Sequence, residues 1–395
     1  MRDVRQEGDA AVHRYNAGLD GVRVEAPLEV SPSEIEAAYS FVDRDLVDAL
    51  RQAARRIQVF HEQQLTHSAR TFEESGVGQI VRPLSRVGVY VPGTKVIYPS
   101  TVLMTAVPAR VAGVHDLVIA TPAVEDGSVA PLKLVAADIA GVDRVFRAGG
   151  VQGVAAMAYG TESIPKVDKI CGPGNIFVTL AKKKLYGEVG IDGIFGPSET
   201  LVLADRDAQP NLVAADMLAG AEHDELATAL LITDSRELAD AVSSHIEARL
   251  GSLSRSEVAR ASLEARGGAV VVGTLDEALE LANEFAPEHL CLHVQDMDGA
   301  LNRVTNAGCA FAGDRSVESI GDYTAGPSHV MPTGGSAAFA SPLGVHDFLK
   351  VTSVVKLDQA TVDDIGPAAA AIARAEGLIG HAEAVESRLH RKPAR

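Results

Sequence analysis

Val87-Gly-Val-Tyr-Val91, closed by Pro92-Gly93, is an apolar, β-branched run of strand length ending in a turn signal. An Ala-rich stretch of helical length, residues 102–112, follows it. Then comes a second strand-like run, Leu117-Val-Ile-Ala-Thr121. Strand, helix and strand in succession describe a crossover between parallel strands. The alternation continues outward. Strand-like runs recur at 144–147, 201–204, 229–233, 269–272 and 290–294, with helical stretches such as 151–159 and 211–219 among them. The reading is an α/β fold with largely parallel sheets.

The flanks are helical. Residues 1–75 are charged and helical in pattern, Ser33 with Glu36 offers a capping box ahead of 37–41, and Val47, Leu50, Ala53 and Ile57 recur at helical spacing. Residues 235–265 read as polar helices with a surface turn at 252–255. The run 351–357 is strand-like and 363–390 is Ala-rich and helical. There is no internal repeat and no low-complexity linker.

With 395 residues the chain has room for two or three domains. Apolar residues at 46% and charged residues at 23% give a globular balance. No apolar run approaches the ~18 residues that span a bilayer. The opening Met-Arg-Asp-Val-Arg-Gln-Glu-Gly-Asp lacks the apolar core of a signal peptide, so none is expected. Cys171, Cys291 and Cys309 are unpatterned, which suits a reducing cytoplasm. A net charge of −17 argues against nucleic acid as partner. Lys182, Lys183 and Lys184 form a compact basic run that a solvated helix face explains.

Several segments carry chemistry. Residues 321–333, Gly-Asp-Tyr-Thr-Ala-Gly-Pro-Ser-His-Val-Met-Pro-Thr, set Asp322 and His329 in what reads as a loop, because Pro and Gly at this density break helices. The apolar run before it, 309–313, reads as a short buried strand. The loop is either a functional site on a rigid scaffold or a solvated turn capped by its Asp. Glu222-His223 lies on the helical run 216–229, and Glu288-His289 sits at a strand edge. A Glu-His pair can activate water or take a proton, though a surface pair looks the same in sequence. Glu376 and His381 add another carboxylate and imidazole. His223, Asp322 and His381 form a plausible nitrogen and oxygen ligand set for zinc. Gly-rich loops at 90–94, 149–152 and 172–175 fall where strand meets helix, where glycine lets a phosphate approach the backbone. The Gly-x-Gly-x-x-Gly fingerprint with its later acidic residue is absent.

Taken in order, Tyr90-Val-Pro-Gly, Gly149-Gly-Val-Gln152, Gly172-Pro-Gly-Asn175, Gly196-Pro-Ser-Glu199, Glu222-His223, Ala286-Pro-Glu-His-Leu290, Gly321-Asp-Tyr323 with His329, and Glu376 with His381 resemble the histidinol dehydrogenase family. The resemblance implies a zinc- and NAD-dependent, four-electron oxidation of an amino alcohol to the acid through a bound aldehyde. Tyr90, Gln152 and Asn175 would hold NAD. His289 would be the base, and Glu288 would activate water. His223, Asp322 and His381 would bind Zn2+, with His381 coming from the other subunit of a homodimer. Ser198, His329 and Glu376 would position the substrate. The expected fold has two Rossmann-like units in an aldehyde-dehydrogenase-like architecture. A split domain of 1–88 and 206–343 would carry most metal and catalytic residues. An NAD-binding domain, 89–205, would be inserted in it, and 344–395 would form a helical, dimerising C-terminal extension.

The chain departs from the family at four points. Gly220 stands where the family has a zinc-binding Gln, three residues before His223. Phe195 replaces a small residue ahead of Gly-Pro-Ser-Glu, where it would re-line the pocket. Thr94 and Lys95 replace an often-found second Gly and a neutral residue. The chain also starts well inside the family's usual start, so an N-terminal arm of the dimer is expected to be missing, or the start misassigned. These departures keep two alternatives in view: oxidation of another small polar alcohol such as a sulfonated diol, and a non-catalytic paralogue.

Overall fold

The run from Arg86 forms strand β1 (Arg86–Tyr90), whose Val87 and Val89 are wholly buried. Four more parallel strands join it: β2 (Asp116–Thr121), β3 (Arg144–Arg147), β4 (Lys169–Cys171) and β5 (Gly190–Ile191), in the order β3-β2-β1-β4-β5. Val89 pairs with Ile119 on one side and Cys171 on the other. Helices Pro99–Val111, Pro131–Ile139, Gly150–Tyr159 and Ile176–Leu185 make the crossovers. Helices on both faces leave the central strands apolar throughout, which is why they read as continuous rather than alternating runs.

The same order recurs in a second parallel sheet. It comprises β6 (Glu199–Ala204), β7 (Thr228–Thr233), β8 (Gly268–Val271), β9 (His289–His293) and β10 (Cys309–Ala312), arranged β8-β7-β6-β9-β10. In each sheet the chain reverses direction beside its first strand, between β1 and β4 and between β6 and β9. Such switch points open crevices.

This is a computed structural model and describes residues 1–25, 27–93 and 96–390; Thr94 and Lys95 lie outside the described residues. The chain divides into two compact units. The first, residues 1–67 and 84–348, holds both parallel sheets. The second, 68–83 and 349–395, is a three-stranded antiparallel sheet of Phe72–Glu74, Val77–Pro83 and Leu349–Val355, followed by helices Gln359–Ala375 and Ile379–Glu386. Its hairpin turns on Ser75 and Gly76, both with positive φ (52° and 77°), the backbone that a tight two-residue turn requires. Among the described residues no helix is long and apolar enough to cross a membrane.

Several expectations need correction. The capping box lies two residues earlier, Ser31 with Glu34, and starts helix Pro32–Ala38. The helical run at 216–229 stops at Ala221, the end of helix Pro210–Ala221. Asp224 accounts for the stop. Its side chain accepts from Leu226 N (2.9 Å) and its carbonyl from Ala227 N (3.0 Å), a local turn that competes with the helix. His223 therefore sits past the helix end. The stretch from 321 is not all loop. Glu318–Ile320 makes a helical turn that widens into one π turn, Gly321–Ala325, before Gly326 (φ 130°) and Pro327 end it. Apart from Gly321, which opens the turn, the helix breakers lie after Ala325. Strands β4 and β5 were not anticipated, being short and lacking a β-branched run.

Candidate active site

Helix Leu275–Phe285 ends on Ala286, held left-handed (φ 51°), and Pro287 cannot extend it. The chain then enters β9 with Glu288 and His289 at its leading edge. There His289 pairs with Thr200 of β6 and Cys309 of β10. Glu288 is anchored by Glu199 N, which donates to its Oε2 at 3.1 Å. His289 Nδ1 lies 3.3 Å from the Glu199 carbonyl, and its ring stacks on Phe311 at 5.8 Å. A carbonyl only accepts, so that contact puts the proton on Nδ1. Nε2 is left as the basic atom, and it is buried without a hydrogen-bond partner.

Asp322 faces this nitrogen from the π turn, Oδ1 being 3.5 Å from His289 Nε2. On its other side Asp322 Oδ2 is 3.9 Å from His223 Nε2. Glu318, one helical turn before Asp322, brings Oε1 to 4.0 Å from His223 Nε2 and 3.9 Å from His289 Nδ1. Sequence reasoning missed Glu318. The signal was its spacing, since carboxylates four residues apart share one helix face, but the stretch had been read from Gly321 onward. Glu199 was also given no role, although its backbone holds both Glu288 and His289.

The electrostatics follow from burial. It pushes the Glu288 carboxyl up to about 8, against the pull of His289, and raises Glu318 as well. Burial alone would lower the His289 imidazole, but Glu318, Glu288 and Asp322 outweigh it and raise it to about 10. Burial would raise Asp322, yet His289 holds it below the usual carboxylate range. Three dry carboxyl groups beside two imidazoles hold protons here, and a divalent cation in their midst would let the carboxyls ionise. One donor atom each from His223, Glu318 and Asp322 lie within 4.8 Å of one another. Glu318 Oε1 is buried and has no hydrogen-bond partner among the described residues. Imidazole and carboxylate donors suit zinc, so these residues fit a metal ion.

His329 sits behind Asp322, with Nδ1 donating to the Asp322 carbonyl (2.9 Å) and Nε2 3.2 Å from Thr101 Oγ1. Ser198 is half-buried just before β6, and its carbonyl accepts from Thr228 N at 2.9 Å. Glu376 and His381 belong to the second unit and are exposed there. Phe195 lies with its ring over the Lys182 ammonium, 4.8 Å from Nζ. Cys171 and Cys291 are buried and their thiols pushed well above the usual range, and burial raises Cys309 to about 11; none is poised as a nucleophile.

Tyr90 ends β1, and Gln152 and Asn175 follow the carboxyl ends of β3 and β4, the end of the sheet at which its switch point opens. The Tyr90 hydroxyl accepts from Gly150 N at 3.0 Å. Gln152 is buried, its amide donating to Asn16 (3.1 Å) and Asp20 (2.8 Å). Gly172 (φ 106°) passes so close to β1 that a Cβ there would lie 2.2 Å from the Tyr90 carbonyl oxygen. Asn175 caps helix Ile176–Leu185, its Oδ1 accepting from Phe177 N and Val178 N at 3.1 Å. Asn175→Asp is expected to keep the cap and stability; were Asn175 to hold NAD, as the resemblance implies, the added negative charge would also raise KM for NAD. Asn175→Ala should also lose about 1 kcal/mol. Thermal melts beside NAD kinetics separate the two effects.

The model of the histidinol dehydrogenase family matches residues 1–389. The chain belongs to the histidinol dehydrogenase family. It is 53% identical over 388 residues to the histidinol dehydrogenase of Moorella thermoacetica, covering 98% of this chain and 92% of that one. The crystal structure of histidinol dehydrogenase from Elizabethkingia anophelis superposes with a TM-score of 0.93 at 36% identity, over 98% of this chain and 90% of that one. An acetylating aldehyde dehydrogenase from Geobacillus thermoglucosidasius matches with a TM-score of 0.51 at 15% identity, over 90% and 98% of the two chains. That match speaks for the fold alone. The histidinol dehydrogenase family thus shares its paired-sheet architecture with aldehyde dehydrogenases.

Proposed function

We propose that this chain oxidises L-histidinol to L-histidine through bound L-histidinaldehyde, using NAD and a zinc ion. The reading is carried by the convergence of Glu288, His289, His223 and Asp322 in a chain that matches the family over nearly its whole length. The overall reaction consumes one alcohol, one water and two NAD, and yields the carboxylate, two NADH and three protons.

His289 is the base. Its Nε2 faces the cluster and would take the alcohol proton once it has given up the proton that Glu318, Glu288 and Asp322 hold on the ring, and NAD, when bound, would accept hydride from the carbinol carbon. Glu288, beside it at 3.7 Å, takes a proton from the water that attacks the aldehyde carbon. A second hydride transfer then leaves the acid. A buried carboxyl raised to about 8 has the proton affinity that this second role needs. His223 and Asp322 would hold the zinc, with His381 contributed by a second copy of the chain. When bound there, zinc would polarise the alcohol or aldehyde oxygen and lower the cost of developing negative charge on it. Ser198, His329 and Glu376 position the substrate, and Tyr90, Gln152 and Asn175 hold NAD at the first sheet's switch point. A homodimer with shared sites agrees with the second unit's surface, where Ile365, Ile372 and Ile379 are exposed.

Gly220 favours one other substrate reading, a different small polar alcohol such as a sulfonated diol. A panel of alcohols assayed with NAD and zinc decides between them. Histidinol is expected to give the highest kcat/KM, and a diol that exceeds it would replace histidinol as substrate.

A further inference from the structure

In this chain a side chain at position 220 would collide with Thr200. Helix Pro210–Ala221 packs on β6 so closely that a Cβ on Gly220 would lie 2.2 Å from Thr200 Oγ1 and 2.7 Å from Thr200 Cβ. Thr200 is 1% exposed. Its hydroxyl is also committed, donating to Glu318 Oε2 at 2.8 Å. That bond fixes the Glu318 carboxylate edge-on. One oxygen is held by Thr200 and the other, Oε1, points at His223 and Asp322.

Glu318 is 1% exposed, and among the described residues Oε1 has no hydrogen-bond partner. An unpaired buried carboxylate oxygen is costly, so a structure that keeps one has a partner for it outside the polypeptide. The neighbours say which kind. Oε1 lies 4.0 Å from His223 Nε2, Asp322 Oδ2 lies 3.9 Å from the same nitrogen, and all three donors fall within 4.8 Å. Metal bonds of about 2.0–2.2 Å set two ligands of one ion roughly 3 to 4 Å apart. The two distances from His223 Nε2 lie at the upper end of that range, and small side-chain rotations would bring the three donors closer together.

Resting on the zinc reading above, we infer that Glu318, aimed by Thr200 across the space beside Gly220, supplies the metal donor that position 220 lacks. The chain's own ligand set is then His223, Glu318 and Asp322, one imidazole and two carboxylates. It neutralises a divalent cation, whereas a carboxamide in place of Glu318 would leave one positive charge. Thr200 is a positioning residue, acting through the oxygen that it holds.

Zinc content of the purified full-length protein, with affinity from competition against a chelator, tests the assignment. Glu318→Gln keeps the size of the side chain and should weaken zinc binding by more than the roughly 10–100-fold that losing an outer-shell partner costs. Thr200→Val removes only the hydroxyl and should weaken it by about 10-fold. It also decides the matter if Glu318→Gln fails to fold by circular dichroism. X-ray absorption of the zinc-loaded wild type should show the imidazoles of His223 and of the second copy's His381 among oxygen neighbours, with the oxygen count reduced in Glu318→Gln. If the wild type holds zinc and either folded variant holds it equally well, Glu318 is not a ligand and the zinc reading survives. If the wild type binds no zinc, that reading falls and this inference with it.

Discussion

His289→Asn is expected to lower kcat for histidinol oxidation by about 10²–10⁴-fold, the usual span for loss of a general base, with KM for NAD unchanged. Tyr90, Gln152 and Asn175, the residues proposed to hold NAD, stand at the other parallel sheet. His289 stands at the first position of β9, with Nδ1 at the Glu199 carbonyl (3.3 Å) and its free Nε2 3.5 Å from Asp322. Asparagine keeps a polar group at Nδ1 but has no atom where Nε2 stood. Binding therefore persists while proton removal fails. Steady-state kinetics beside a thermal melt make the measurement. A folded variant with kcat within a few-fold of wild type would remove His289 from the mechanism.

Lys182→Met is expected to destabilise the chain by about 3–5 kcal/mol, the cost of stranding one member of a buried ion pair. Lys182 and Asp192 are paired, with side chains 2% and 1% exposed. Lys182 also donates to the Gly172 carbonyl at 2.9 Å, and Asp192 accepts from Gly172 N (2.6 Å) and Gly193 N (2.9 Å). The pair thus pins the loop between β4 and the helix that Asn175 caps. Methionine leaves the Asp192 carboxylate dry, and burial already raises its proton affinity. Asp192→Asn made in the Lys182→Met background should recover part of the loss, since the two changes share one interaction. The urea midpoint reports it. A shift equivalent to less than 1 kcal/mol would mean that water reaches the pair.

Much of this arrangement was legible from residues. The runs around Val89, Ile119, Val202 and Leu292 are buried on both sheet faces and carry β-branched or leucine side chains, so their strands stand out. Lys169–Cys171 and Gly190–Ile191 were not legible, because a strand of three or two residues takes its identity from a neighbour's backbone. The end of the helix at Ala221 was missed for a local reason, the turn that Asp224 makes. Glu288, His289, His223 and Asp322 were nameable as residue types, and only folding brings them together. Glu318 needed more than spacing: its role rests on the Thr200 hydroxyl, 118 residues away in sequence.

The most direct test of the whole account is the endpoint of a reaction with limiting histidinol, excess NAD and zinc, in which NADH is counted against alcohol consumed. Two NADH per histidinol, with histidine as product and no free aldehyde, is the result that the paired roles of His289 and Glu288 predict. One NADH per histidinol with aldehyde accumulating, or no NADH at all, would contradict it.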